Sequence, residues 1–119
     1  MFTNKKQSVL TVLYNGNIYK WEVCANMPHI TNFAYIVYKS KVMWTDGKLR
    51  WGKIRAEIKN FSPGALNLIK KIIKQKETIS FCIEYVDKNE KWVLDSCCVE
   101  YGNGDNKIII TPNSCELIK

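Results

Sequence analysis

The stretch FSPGALNLIKKIIKQ, Phe61–Gln75, carries the pattern of a docked helix, and the segments around it read mostly as strand. Ser62 suits the N-cap, where a hydroxyl accepts from an unpaired amide of the first turn. Pro63 then falls on the first helical position, where its fixed φ fits and its missing N–H costs nothing. Ala65, Leu66, Ile69, Ile72 and Ile73 recur at helical spacing, and Leu68 widens the stripe. This spacing predicts Leu66, Ile69 and Ile73 buried. Asn67, Lys70, Lys71 and Lys74 occupy the other face, with the lysines toward the C-terminal end, where they complement the helix dipole. An apolar stripe of this kind needs an apolar sheet face to lie on.

The flanking sequence supplies that face. Immediately upstream, RWGKIRAEIKN (50–60) alternates, with Ile54, Ala56 and Ile58 inward and Lys53, Arg55, Glu57 and Lys59 outward. Downstream, TISFCIEYV (78–86) puts Ile79, Phe81, Ile83 and Tyr85 on one face. The polar turn Asp87–Glu90 leads to its hairpin partner, KWVLDSCCVEY (91–101). A glycine-rich turn, GNGDN (102–106), precedes KIIIT (107–111), which Pro112 ends, and NSCELIK (113–119) supplies a last edge strand. At the other end, SVLTVLY (8–14), Asn15-Gly16-Asn17 and IYKWEVCA (18–25) read as a hairpin with Asn-Gly in its turn. ANMPHITN (25–32) breaks the pattern at Pro28. AYIVYKSKVMW (34–44) reads as one strand, joined through an Asp46-Gly47 turn to the strand that precedes the helix. The expected fold is a single α+β domain over residues 1–119. It has one amphipathic helix on a mostly antiparallel sheet or partly closed β-barrel of about six to eight strands.

Composition narrows the class. An apolar fraction of 46% with four tryptophans excludes a disordered chain. No run approaches the roughly 20 apolar residues of a membrane span. Gln7, Ser8 and Thr11 interrupt the apolar run after Lys5 and Lys6, and no small-residue cleavage site follows, so this segment reads as strand and not as signal peptide. Cys24, Cys82, Cys97, Cys98 and Cys115 form no CxxC pair, and Cys97 and Cys98 on one strand point to opposite faces. With a single histidine, a zinc site would need cysteines converging from distant strands. Reduced cysteines, no metal and no cofactor are expected. His29, beside a proline in a polar connection, reads as structural. Glu84 and Asp95 could face each other on neighbouring strands, but solvent-facing hairpin positions account for them equally well. GNGDN lacks the strand-to-helix setting and the Lys-Ser/Thr of a phosphate loop. No catalytic residue is assigned, and no enzymatic activity is expected.

Charge gives the main functional signal. The net charge is +7, and between Lys39 and Lys76 eleven basic residues face only Asp46 and Glu57. Lys39, Lys41, Trp44, Lys48, Arg50, Trp51, Lys53 and Arg55 form the candidate interaction surface. Cations interleaved with rings suit a single-stranded nucleic-acid groove. The same residues suit a solvated outer face on which Trp44 and Trp51 pack across strands beside a turn. They also suit a surface that pairs with carboxylates of a protein neighbour. The paired-aromatic signature of RNA-recognition sheets is absent.

Three stretches resemble the tail-tube-like and baseplate structural proteins of bacteriophage tails and contractile injection systems. IYKWEVCANMPHI resembles that family's early strand and its Pro-containing loop. LRWGKIRAEIKNFSPGALNLIKKIIKQ resembles its charged strand and flanking helix, and FCIEYVDKNEKWVLDSCCVEYGN its late hairpin. The resemblance implies a non-enzymatic subunit that self-associates edge to edge into rings, with Ala25–Asp46 as the stacking segment. The implied partners are copies of itself and neighbouring tail proteins, in a virion or in host cytoplasm. A short, basic chain fits a terminator, initiator or baseplate relative better than the main tube subunit. Two other readings stay open: a small basic nucleic-acid-binding module, and a phage-encoded inhibitor of a host defence protein.

Overall fold

A computed structural model describes residues 5–31, 35–38, 41–45, 50–59, 63–104 and 106–118. The Ser62 cap, the Asp46-Gly47 turn, Lys39 and Lys48 lie outside these residues. In chain order the strands are β1 (Lys6–Tyr14), β2 (Asn17–Ala25), β3 (Ile30–Thr31), β4 (Tyr35–Tyr38), β5 (Lys41–Thr45), β6 (Arg50–Trp51) and β7 (Ile54–Ile58). The helix α1 (Pro63–Gln75) follows, then β8 (Ile79–Tyr85), a 3₁₀ turn at Val86–Lys88, β9 (Glu90–Tyr101), β10 (Lys107–Thr111) and β11 (Ser114–Ile118).

Six strands close into an antiparallel barrel in the order β1–β2–β7–β10–β9–β8, and β11 adds to β9 outside the circuit. The β1–β2 turn works as its Asn-Gly pair requires, with Asn15 and Gly16 both left-handed at φ 51° and 79°. Alternation along each strand sends Leu10, Val12, Trp21, Val23, Ile54, Ala56 and Ile58 into one core. Phe81, Ile83, Leu94, Ile108 and Ile110 complete it from the other strands.

α1 covers the barrel end at which the β1–β2 turn lies. Ala65, Leu68, Ile69 and Ile72 are buried there, whereas Leu66 and Ile73 are only half-buried. The expected stripe is therefore correct at Ile69 but rotated: Leu68 takes the inward place that the spacing assigned to Leu66. Helical periodicity fits both choices, so spacing alone does not separate them; in the fold Leu68 is buried with Ala65, Ile69 and Ile72. The helix ends in a Schellman motif, with Glu77 N–H donating to the Ile72 carbonyl (3.2 Å) and Lys76 N–H to that of Ile73 (3.2 Å). Lys76 holds the left-handed position at φ 52°. Tyr14 Oη donates to Glu77 Oε2 at 2.7 Å, tying the turn after the helix to the first hairpin, and this bond raises the Tyr14 pKa.

The expected second hairpin is corrected. AYIVYKSKVMW is not one strand: its two halves, β4 and β5, pair with each other, and β3 pairs with β6 around them. β7 pairs with β2 and β10, so the strand before the helix belongs to the barrel wall. The described residues between 26 and 53 thus form an excursion of nested antiparallel pairs, β4–β5 within β3–β6, that leaves the barrel at the end opposite α1. A hydrophobic pattern read without knowledge of partners cannot tell a long strand from a tight hairpin of two short ones.

Candidate interaction surfaces

The excursion is fastened at its base by Asn26. Its Oδ1 accepts from the Arg55 N–H at 2.6 Å, its Nδ2 donates to the Lys53 carbonyl at 3.2 Å, and its own carbonyl accepts from Tyr85 Oη at 2.6 Å. Burial raises the Tyr85 pKa, so the phenol stays a donor over the whole ordinary pH range. Gly52 N–H donates to the His29 carbonyl at 2.7 Å, and the His29 ring lies where a Cβ on Gly52 would fall. His29 Nδ1 is 3.2 Å from the Met27 carbonyl. The histidine therefore packs the base of the excursion.

The structure divides the basic, aromatic stretch. Lys41 and Trp44 belong to β5, and Arg50 and Trp51 to β6, where Arg50 is exposed and Trp51 half-buried. Trp44 lies in register with Ile36 and not across from Trp51. The Trp51 ring meets Trp92 of β9 edge-on, with centroids 6.2 Å apart at 72°, so it fills the mouth of the barrel where stacking on a base would need an open face. Lys53 sits at the Asn26 clamp, and Arg55 faces outward from β7.

Arg55 instead meets cations far away in sequence. Lys5, Arg55 and Lys107 line an open groove of about 580 Å³ on the outer β7–β10 wall, with Ile109 among its other lining residues. Among the described residues none of these three side chains pairs with a carboxylate. The sequence signal for this trio was the outward phase of Arg55 and Lys107, which becomes a cluster only once β7 and β10 are known to pair.

No acid–base machinery emerges from the candidates. Glu84 is in register with Lys91, and Asp95 Oδ1 accepts from Ser80 Oγ at 2.6 Å, so the two carboxylates do not face each other. Ser96, at φ 49°, forms a bulge in β9 between the Phe81–Leu94 and Ile79–Cys97 pairs, and its N–H points to Ser80 Oγ at 3.4 Å. Cys97 is buried and Cys98 exposed, on opposite faces. Burial pushes the Cys97 thiol up to about 12 and that of Cys115 to about 11, the reverse of what a nucleophilic thiolate needs. Among the described residues no group of three metal-ligating side chains converges, and no helix is long and apolar enough to cross a membrane.

The fold is therefore a small closed barrel, stoppered by a helix at one end, with a β-excursion at the other. A chain in the six-fold-symmetrised cryo-EM structure of the anti-feeding prophage (AFP) baseplate has a similar fold. The superposition covers 99% of this chain and 96% of that one, with a TM-score of 0.51 at 11% sequence identity. No protein-family model and no curated protein sequence matches the chain.

Proposed function

We propose that this chain is a non-enzymatic structural component of a phage-tail-like assembly, of the tube, terminator or baseplate type. It works by associating with copies of itself and with neighbouring tail proteins as part of the particle. The observation that carries this reading is the likeness to a baseplate chain over nearly the whole length of both proteins. The open edge of β11 offers unpaired backbone groups to a further strand. The excursion, which takes in the Ala25–Asp46 segment beyond the end of β2, supplies a second contact surface toward the next layer. Lys39, Lys41, Lys48 and Arg50 would pair there with carboxylates of a neighbour, setting register and association rate more than holding energy.

Electron microscopy and light scattering test this directly: rings, stacks or discrete oligomers are expected from the purified chain. Binding to single- and double-stranded DNA at near-physiological salt is the counter-measurement. A persistently monomeric protein that binds DNA at submicromolar concentration, with binding abolished by Lys39→Glu and Arg55→Glu, would overturn the assembly reading in favour of a nucleic-acid module.

A further inference from the structure

Strand β9 outruns β8. Its ladder with β8 stops at the Ile79–Cys97 pair, yet Cys98–Tyr101 continues along β10. Successive residues of an antiparallel strand point their backbone groups to its two sides by turns. The bonds from Gly102 N–H to the Lys107 carbonyl (2.7 Å) and from Ile58 N–H to that of Asn106 (2.8 Å) fix the phase. Cys98 and Glu100 therefore bond β10, while the N–H and C=O of Val99 and Tyr101 point to the side that β8 has left. They open on a groove of about 390 Å³ beside the end of α1, lined also by half-buried Ile73 and by Lys76 and Glu77. The same alternation, counted from the two-residue β1–β2 turn through β1, β8 and β9, turns Ser114, Glu116 and Ile118 toward β9. Cys115 and Leu117 are left to the open edge of β11. Among the described residues, Val99, Tyr101, Cys115 and Leu117 have no backbone partner on that free side.

We propose that β11 of a second copy adds to the open end of β9, lying in this groove as a further antiparallel strand. This rests on the assembly reading above and names the two edges through which it would act. The edges match in phase. Val99 and Tyr101 alternate with outward Cys98 and Glu100, and Cys115 and Leu117 are in register with Leu94 and Trp92 on the inward face of β9. At both edges, then, the residues with free backbone groups carry inward side chains, so pairing them extends one sheet with its faces kept. A two-residue step also keeps the faces, and charge chooses among the steps. Setting Glu116 across from Glu100 opposes like charges, whereas pairing Tyr101 with Leu117 sets Ile118 there and brings Leu117 to the Ile73 side of the groove. The two edges lie on opposite sides and at opposite ends of β9, so neither blocks the other, and each docked copy still offers one of each. Such a heterologous contact propagates into a closed ring or an open filament, according to the rotation between copies.

Proline tests the pairing, because it removes an N–H that carries no bond in the single chain. Tyr101→Pro blocks the groove edge and Leu117→Pro the β11 edge, and circular dichroism spectra of both should match the native chain. Sedimentation velocity should show each variant monomeric where the native chain associates. An equimolar mixture should form dimers and stop there, since only the β11 edge of Tyr101→Pro and the groove of Leu117→Pro remain. Hydrogen exchange on the native chain needs no substitution and decides alone if proline unfolds either variant. The amides of Val99, Tyr101 and Leu117 should exchange fast in the dilute monomer and become protected on association. If the native chain associates without protecting them, if either folded variant associates as the native chain does, or if the mixture yields no dimer, the edge pairing is wrong while the assembly reading stands. A native chain that is monomeric at every concentration overturns both.

Discussion

Replacing Leu68 with alanine, and separately Leu66, measures how α1 is rotated on the barrel. Leu68 is 6% exposed in the core cluster, whereas Leu66, two residues earlier, is half-buried. Deleting a buried leucine side chain removes its transfer energy and leaves a cavity, together about 2–5 kcal/mol. The strand residues of the same core cluster are held by backbone ladders and cannot readily collapse into the space, so about 3 kcal/mol is expected for Leu68→Ala. For the partly solvated Leu66, about 1 kcal/mol is expected. An unfolding entropy of about 2.1 cal/mol/K per residue over 119 residues gives about 0.25 kcal/mol/K. The expected falls in melting temperature are then about 12 °C for Leu68→Ala and about 4 °C for Leu66→Ala. Calorimetry or thermal circular dichroism reads both. Equal falls, or a larger one for Leu66→Ala, would refute the orientation and restore the stripe expected from spacing alone.

Lys76 occupies a left-handed position that glycine adopts without strain. Lys76→Gly should therefore raise stability by about 0.5–1 kcal/mol, read as a higher melting temperature, and a loss would mean that the Schellman end is wrongly assigned. Gly52→Ala should destabilise the chain, because the new Cβ meets the His29 ring, and adding His29→Ala should restore part of the loss. If the double variant is no better than the single one, that contact is not the cause. In the native protein Cys98 should react with a thiol reagent first and Cys97 last. Cys97 and Cys115 hold their protons to about 12 and 11, against 9.0 ordinarily, so their contribution is full below pH 9 and is lost as pH rises through the folded values. The melting temperature should decline above pH 9, and more shallowly in Cys115→Ala; a flat profile from 9 to 11 would contradict the burial of these thiols.

Much of the barrel was legible in the sequence because its strands alternate cleanly and its turns use residues with distinct backbone needs. Asn15-Gly16 marked the first hairpin, and Ile79, Phe81, Ile83 and Tyr85 marked the inward face of β8. Pro112 marked the break between β10 and β11. Pairing was not legible. Period-two alternation states which face a residue takes but not which strand lies beside it, so β7 was assigned to a hairpin with residues 34–44 when its neighbours are β2 and β10. The placement of the candidate residues was not legible for the same reason: Lys41 and Arg50 fall in the excursion and Arg55 in the barrel wall, where it lines one groove with Lys5 and Lys107. Trp51 carried an ambiguity of its own, since a ring beside lysines reads as a stacking platform until Trp92 is placed against it.

The route that β9 takes past its Ser96 bulge separates the folding unit from its last strand. Cys98–Tyr101 zips to β10 and completes the circuit, while Lys91–Asp95 holds β11 on a flank that closure does not use. Opening β11 breaks one ladder and leaves every barrel strand with both of its neighbours. The chain should therefore unfold hierarchically: amides of β11 exchange with deuterium through a local excursion, and those of β1 and β8 only when the barrel itself opens. A detachable strand of this kind could be traded between molecules while each barrel stays closed.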